Sequence, residues 1–307
     1  MVRARPTCRF LCAGLTVLAP WTLAPVVAAQ QSFEASSHHV RLPVVVVDRD
    51  GRPVVGLTAD DFEVLDDGVP QVIQAFAEGP PGAGVPLHLG VMLDKSPSME
   101  LDAEEAANAV VRFVDAMPEA ADVTFVEFDS SVRISRFEPP SYDHLFERIR
   151  TRSQGEATAL FDAMGRYVQT TLDRPGQHVL LVYTDGGDSG RGLTAGDIQQ
   201  LLRHGNVLVY GVVYLEHQPP SERARQRAIL TQLPRETGGE AFFPSSIRDV
   251  AAIYDRIRAE MAARYTIGYA MPGGAEAGRF RRVTVRLRGG DRGTRVRTRT
   301  GYIVPGP

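Results

Sequence analysis

The chain has 307 residues, 43% hydrophobic and 23% charged, which suits a globular α/β domain of about 200 residues with smaller additions. A net charge of −3 argues against the strongly basic surface that nucleic-acid binding demands. The two cysteines, Cys8 and Cys12, both lie near the N-terminus, so the rest of the chain has neither disulfides nor thiol chemistry at its disposal.

Residues 1–29 read as a signal peptide: Arg3, Arg5 and Arg9 form a basic start, Phe10 to Ala19 an apolar core, and Val27-Ala28-Ala29 a small-residue cleavage site before Gln30. The alternative is an uncleaved N-terminal anchor, since Phe10 to Ala29 is nearly long enough to span a bilayer, although Pro20 and Pro25 interrupt it. Leu11 does not supply the small residue that a lipoprotein cleavage site wants before Cys12. Cleavage removes three arginines and no acid, taking the charge from −3 to −6, and leaves no membrane span. The expected location is therefore exported, either periplasmic or extracellular. Lys95 is the only lysine, which reads as a codon-composition effect.

Residues 30–39 are a polar, flexible lead-in. Val40 to Val47 is a β-branched strand, Asp48-Arg49-Asp50-Gly51 a turn, and Thr58 a cap for one short helical turn. Phe62 to Leu65 alternates as a strand does, Asp67-Gly68 is a hairpin turn, and Val69 to Phe76 returns. Residues 40–78 thus form an N-terminal β unit too small to bury much core alone, and 79–84 form a linker.

Over residues 85–264, strands alternate with helices. Strand Val85 to Leu93 is followed by a helix from Met99 to Ala116, then by a hairpin of Asp122 to Phe128 with Val132 to Phe137. Helices at Tyr142 to Ile149 and Leu160 to Leu172 precede the apolar strand His178 to Tyr183. A helix from Asp197 to His204, a strand from Val207 to Val213, a helix from Ser221 to Glu236 closed by Gly238-Gly239, a short strand from Glu240 to Phe243 and a helical stripe from Ile247 to Met261 complete the series. This order predicts an α/β fold, doubly wound on a mostly parallel sheet, with one antiparallel edge strand. Residues 265–307 change character. Tyr265 to Ala270, Arg279 to Arg288 and Thr294 to Ile303 alternate polar and apolar residues, as in an antiparallel unit with one wet face. The arginines between Arg279 and Arg299 read as that wet face, with an acidic partner as the alternative. The two β segments flank the core, and each would expose an apolar face alone, so they are expected to pack together.

The candidate site lies where strands end, because ligands of open α/β sheets gather at the carboxyl ends of strands. Asp94-Lys95-Ser96-Pro97-Ser98 follows the first strand of the core and offers one carboxylate and two hydroxyls on a tight loop. Thr158, in Gly155-Glu156-Ala157-Thr158-Ala159-Leu160, and Asp185, in Tyr183-Thr184-Asp185-Gly186, reach the same end of the sheet. Three hydroxyls and two carboxylates suit a hard divalent cation, Mg²⁺ first, with Mn²⁺ or Ca²⁺ also acceptable. Taken singly, Ser96, Ser98 and Thr158 would serve as helix caps and Asp185 as a turn residue.

Asp-x-Ser-x-Ser, a Thr-Ala-Leu helix start and Thr-Asp-Gly after an apolar strand occur here in the order of the von Willebrand factor A (VWA) domain, which the chain resembles. Leu57 to Val64, Glu236-Thr237-Gly238-Gly239, Tyr265-Thr266-Ile267-Gly268-Tyr269 and Thr300-Gly301-Tyr302 further resemble exported bacterial "VWFA-related" proteins of Acidobacterial type. The family often has Gly-Gly where this chain has Glu156-Ala157 before Thr158. The resemblance implies a metal-ion-dependent adhesion site (MIDAS) formed by Asp94, Ser96, Ser98, Thr158 and Asp185, at which a divalent cation accepts an Asp or Glu carboxylate from a protein partner. No nucleophile elbow, His-Glu-x-x-His helix or phosphate loop occurs, so a binding module is expected and not an enzyme. The alternatives are a structural cell-envelope component whose metal serves stability, and a metal-assisted hydrolase.

Overall fold

The computed structural model describes residues 39–79, 85–151, 157–189, 192–290 and 293–306. The signal segment with its cysteines, most of the lead-in and linker, and Gly155-Glu156 lie outside the described residues. The strands are β1 (His39–Val47), β2 (Phe62–Asp66), β3 (Val69–Gln71), β4 (Ala75–Glu78), β5 (Leu87–Asp94), β6 (Ala120–Phe128), β7 (Val132–Phe137), β8 (Gln177–Thr184), β9 (Val207–Val213), β10 (Ala241–Phe242), β11 (Tyr265–Ala270), β12 (Phe280–Leu287), β13 (Arg295–Thr298) and β14 (Gly301–Ile303). The helices are α1 (Ala103–Asp115), α2 (Tyr142–Arg150), α3 (Leu160–Thr171), α4 (Ala195–His204), α5 (Pro220–Thr237) and α6 (Val250–Ala262).

The central sheet runs β10-β9-β8-β5-β6-β7, parallel except for the edge strand β7. Every residue of β5 is buried, as an apolar strand covered on both faces requires. Leu89, Val91 and Leu93 pack with α1, α2 and α6, while Met92 packs with α3, α4 and α5. Gly90 stands where α3 comes closest. A Cβ there would overlap the Tyr167 ring, so the small residue sets the helix–sheet spacing. Helix α5 stops at Gly238, whose φ of +90° is the left-handed conformation of a helix C-terminus.

The N- and C-terminal segments interleave into two antiparallel four-stranded sheets, β13-β1-β11-β4 and β14-β12-β2-β3. Alternate residues of β1, namely Val40, Leu42, Val44 and Val46, meet Phe62 and Val64 of β2, Tyr265, Ile267 and Tyr269 of β11, and Val283 and Val285 of β12 in one apolar core. Asp67 and Gly68 take the positive φ angles, 48° and 82°, of the Asp-Gly hairpin. Thr58 and Asp61 close a capping box on a three-residue 3-10 turn ahead of β2.

Three expectations need correction. The return strand expected over Val69 to Phe76 divides, because β3 pairs with β2 while β4 crosses to β11 in the other sheet. The final strand expected over Thr294 to Ile303 divides in the same way between β1 and β12. Alternation shows which side chains share a face, but not that a chain changes sheets in mid-run. The arginines, too, are not simply a wet face. Arg281 pairs at 2.7 Å with Asp66, which is fully buried. Arg297 pairs with Glu240 at 2.6 Å and with buried Glu260, which ties β13 to α6. Guanidiniums of the C-terminal strands therefore clamp the β sandwich internally and onto the α/β core.

Candidate metal centre

Asp94 is the last residue of β5 and is 3% exposed. Its Oδ1 accepts the Ser96 backbone N–H at 3.0 Å, which turns the chain sharply, and its Oδ2 accepts the Thr184 hydroxyl at 2.6 Å. Ser96 stands at the start of a 3-10 turn, Pro97 to Asp102, yet its side chain makes no capping bond. Instead Ser96 Oγ and Ser98 Oγ lie 3.1 Å apart. Ser96 is buried and Ser98 is exposed, so the hydroxyl pair runs outward from the carboxylate. The two oxygens converge rather than serve the helix.

Thr158 precedes Ala159, the residue that caps α3, and so does not cap that helix itself. Its backbone is held on both sides, by Ser189 Oγ accepting its N–H at 2.9 Å and by its carbonyl accepting the Ser189 N–H at 2.8 Å. Asp185 follows β8 and is fully buried. Its Oδ1 accepts the Gly187 N–H at 3.1 Å and its Oδ2 accepts the Gln218 side-chain amide at 2.7 Å. A Cβ placed on Gly187 would lie 3.4 Å from Asp185 Oδ1 and 3.7 Å from Thr158 Oγ1, so those oxygens flank one point. Asp162 and Asp188 serve the frame: Asp162 Oδ1 accepts the Leu193 N–H at 2.8 Å, and Asp188 Oδ1 accepts the Phe161 N–H at 3.3 Å at the start of α3.

The structure thus joins Asp94, Ser96 and Ser98 in one group and Thr158 and Asp185 in another. Thr184 bridges them along β8, and the two carboxylates repel each other. Burial, and then the charge of Asp185, push the Asp94 carboxyl up from 3.8 to about 7, against the bonds from Thr184 and Ser96 that favour its anion. Among the described residues neither carboxylate has a basic partner, and no three His, Cys, Asp or Glu side chains are grouped to hold a metal. The donor set is therefore two acids with hydroxyls. Two buried acids without a basic partner among the described residues, beside hydroxyls that do not cap the neighbouring helices, fit a hard divalent cation.

Three contributors escaped the sequence reading. Thr184 was visible only as the middle of Tyr183-Thr184-Asp185, with nothing to mark its hydroxyl as a donor to Asp94. Gln218 lies in the segment after β9, far from any motif. Lys95 has a structural reason to be lysine. Its ammonium is buried and donates to the carbonyls of Arg148, at 2.9 Å, and Thr151, at the end of α2, and stands 3.4 Å from Glu127 Oε2. Three acceptors around one point match a tetrahedral ammonium better than a planar guanidinium. Beside this loop opens a cavity of about 640 Å³, with Met99, Ala106, Ala107 and Ile149 on its apolar side and Asp94 and Ser96 at its edge.

A doubly wound sheet carrying carboxylates and hydroxyls on the loops at its carboxyl end defines an α/β binding fold of the crevice type. Residues 88–256 match the family model of the von Willebrand factor type A domain. That span is more than half of the chain, and the chain belongs to this family. No curated protein matches it. Among solved structures it is similar to a von Willebrand factor type A protein from Catenulispora acidiphila, at 13% identity over 88% of this chain and 75% of that one, with a TM-score of 0.47. The pilus adhesin SpaC from Lactobacillus rhamnosus GG, in its open conformation, is 10% identical over 80% of this chain and 48% of its own, with a TM-score of 0.49. Proximal thread matrix protein 1 from the mussel byssus, with a zinc-occupied MIDAS motif, is 13% identical over 60% and 50%, with a TM-score of 0.42.

Proposed function

We propose that this protein is a divalent-cation-dependent protein-binding module, with Asp94, Ser96, Ser98, Thr158 and Asp185 holding the cation. The observation that carries this reading is the pair of buried carboxylates, Asp94 and Asp185, close enough for the charge of one to act on the other and without a basic partner among the described residues. Mg²⁺ is the first choice and Mn²⁺ or Ca²⁺ the alternatives, because every donor is oxygen. When bound, the cation supplies a Lewis-acidic position that attracts a carboxylate oxygen.

The partner in this reading presents an Asp or Glu side chain. Two site carboxylates balance a divalent charge and still leave it attractive to a third anion, since the hydroxyls donate no charge. The cavity beside the loop, apolar on one side, gives neighbouring side chains of the partner a place to bury surface. The role is binding, not catalysis, and the signal segment makes the chain exported. No helix of the described residues is long and apolar enough to cross a membrane.

Calorimetry with Mg²⁺, Mn²⁺ and Ca²⁺, paired with capture of envelope proteins in the presence and absence of a chelator, tests the proposal. Asp94→Ala is expected to abolish cation binding, and Asp185→Ala and chelation each to weaken capture. Unchanged cation affinity in Asp94→Ala overturns the site. Capture that survives both chelation and Asp185→Ala overturns the adhesion role.

A further inference from the structure

We propose a second ion site, for a monatomic anion of chloride size, between the α/β core and the β sandwich. It is a cavity of about 30 Å³ lined, among the described residues, by three arginines, Arg41, Arg264 and Arg299, and by no aspartate or glutamate. The lining comes from both parts of the chain. Arg41 and Thr266 belong to the sheet of β1 and β11, while Gly205 and Asn206 form the α4–β9 connection of the core and Val207 opens β9.

The charge balance points to an anion. Arg264 is 2% exposed, and its Nε–H has no hydrogen-bond acceptor among the described residues. Another of its N–H groups donates to the neutral amide oxygen of Gln177. Glu119, whose charge acts on Arg264, is exposed and lies outside the lining. Arg299 also gives its bonds to neutral oxygens, the carbonyls of Gly301 at 2.7 Å and Arg203 at 2.9 Å. Neither guanidinium has an ion-pair partner among the described residues. Burial lowers both guanidinium pKa values, that of Arg299 to about 10.

A buried cation such as Arg264 is costly unless a counter-charge accompanies it. Water satisfies the open N–H but not the charge; an anion satisfies both. The cavity admits one or two water-sized spheres. That suits a halide better than sulfate or phosphate with their four oxygens. An anion held there joins the two layers through Arg264, just before β11, and Arg299, just after β13, so the packing of sandwich on core becomes chloride-dependent.

The test uses the full chain in chloride-free sodium gluconate, titrated with sodium chloride at constant ionic strength. The melting temperature is expected to rise saturably by about 2–4 °C, the shift that a modest ligand gives a domain of this size. Arg264→Gln keeps a polar side chain without the charge and is expected to lose the rise. Crystals grown in sodium bromide are expected to show anomalous density between Arg264 and Arg299. Water there in bromide crystals, or an equal chloride response in the wild type and the variant, overturns the proposal. Should Arg264→Gln fail to fold, Arg299→Gln and the bromide crystals of the wild-type chain decide.

Discussion

Replacing Asp94 by Asn isolates the charge at the centre of the candidate site. In the metal-free protein, burial and then the charge of Asp185 push the Asp94 carboxyl up to about 7, against 3.8 for an ordinary aspartate. At about 1.4 kcal/mol per pKa unit this shift is worth about 4 kcal/mol. The sign follows from proton binding. Between these two values the folded state binds more protons than the unfolded one, so stability falls as pH rises through that window and levels off above it. Asn removes the buried charge but also costs something. Its amide oxygen can still accept from Ser96, while its NH₂ replaces the oxygen that accepts the Thr184 hydroxyl at 2.6 Å, a loss of about 1–3 kcal/mol. The net expectation at pH 8 without metal is a variant about 1–3 kcal/mol more stable than the wild type, with the difference shrinking or reversing by pH 5. Urea denaturation of chelator-treated proteins at the two pH values measures this. Saturating Mg²⁺ is expected to stabilise the wild type and leave Asp94→Asn unmoved. A variant that follows the wild-type pH profile without metal would show that Asp94 is not the group carrying the buried charge.

Other perturbations follow from single contacts. Lys95→Arg cannot place three donors on the Arg148 and Thr151 carbonyls and on Glu127 at once, so it is expected to cost about 1–3 kcal/mol in urea denaturation. A neutral result would return Lys95 to an accident of codon usage. Gln218→Ala frees the Asp185 oxygen that its amide holds at 2.7 Å, and the expected outcome is about a 10-fold loss of cation affinity by calorimetry with the melting temperature little changed. Gly90→Ala drives a methyl into the Tyr167 ring and is expected to destabilise by about 1–3 kcal/mol, partly recovered in the double variant with Tyr167→Leu. Additive melting shifts in that pair would refute the contact.

What could be read in the chain and what could not divide along one physical line. Periodicity and turn chemistry are local, and they gave the doubly wound core, the antiparallel edge strand β7 and the Asp67-Gly68 hairpin close to where the structure has them. The candidate donors were also legible, because Asp94, Ser96 and Ser98 lie within one loop, and strand ends bring Thr158 and Asp185 to the same end of the sheet. What stayed hidden depends on partners distant in sequence. Nothing around Val72 says that the chain leaves β2 for β11, since either sheet accepts the same alternation. Nothing in the arginine-rich tail says that Arg281 meets Asp66 across more than two hundred residues, or that Arg297 meets Glu260.

Lys95 shows the same limit at the site itself. A chain that uses arginine at every other cationic position, histidines aside, invites the conclusion that its one lysine is chance. Inside Asp94-Lys95-Ser96 the side chain points away from the candidate cation and fastens the end of α2, and with it Glu127 and its arginine partners Arg133 and Arg148. The loop therefore has two jobs set by alternate residues. Asp94, Ser96 and Ser98 offer oxygen to one side, and the residue between the first two anchors the loop on the other. Alternation marked the oxygens, because they share a chemistry. It was silent on the anchor, whose acceptors are main-chain carbonyls contributed by a helix more than fifty residues away, and a carbonyl has no letter in a sequence.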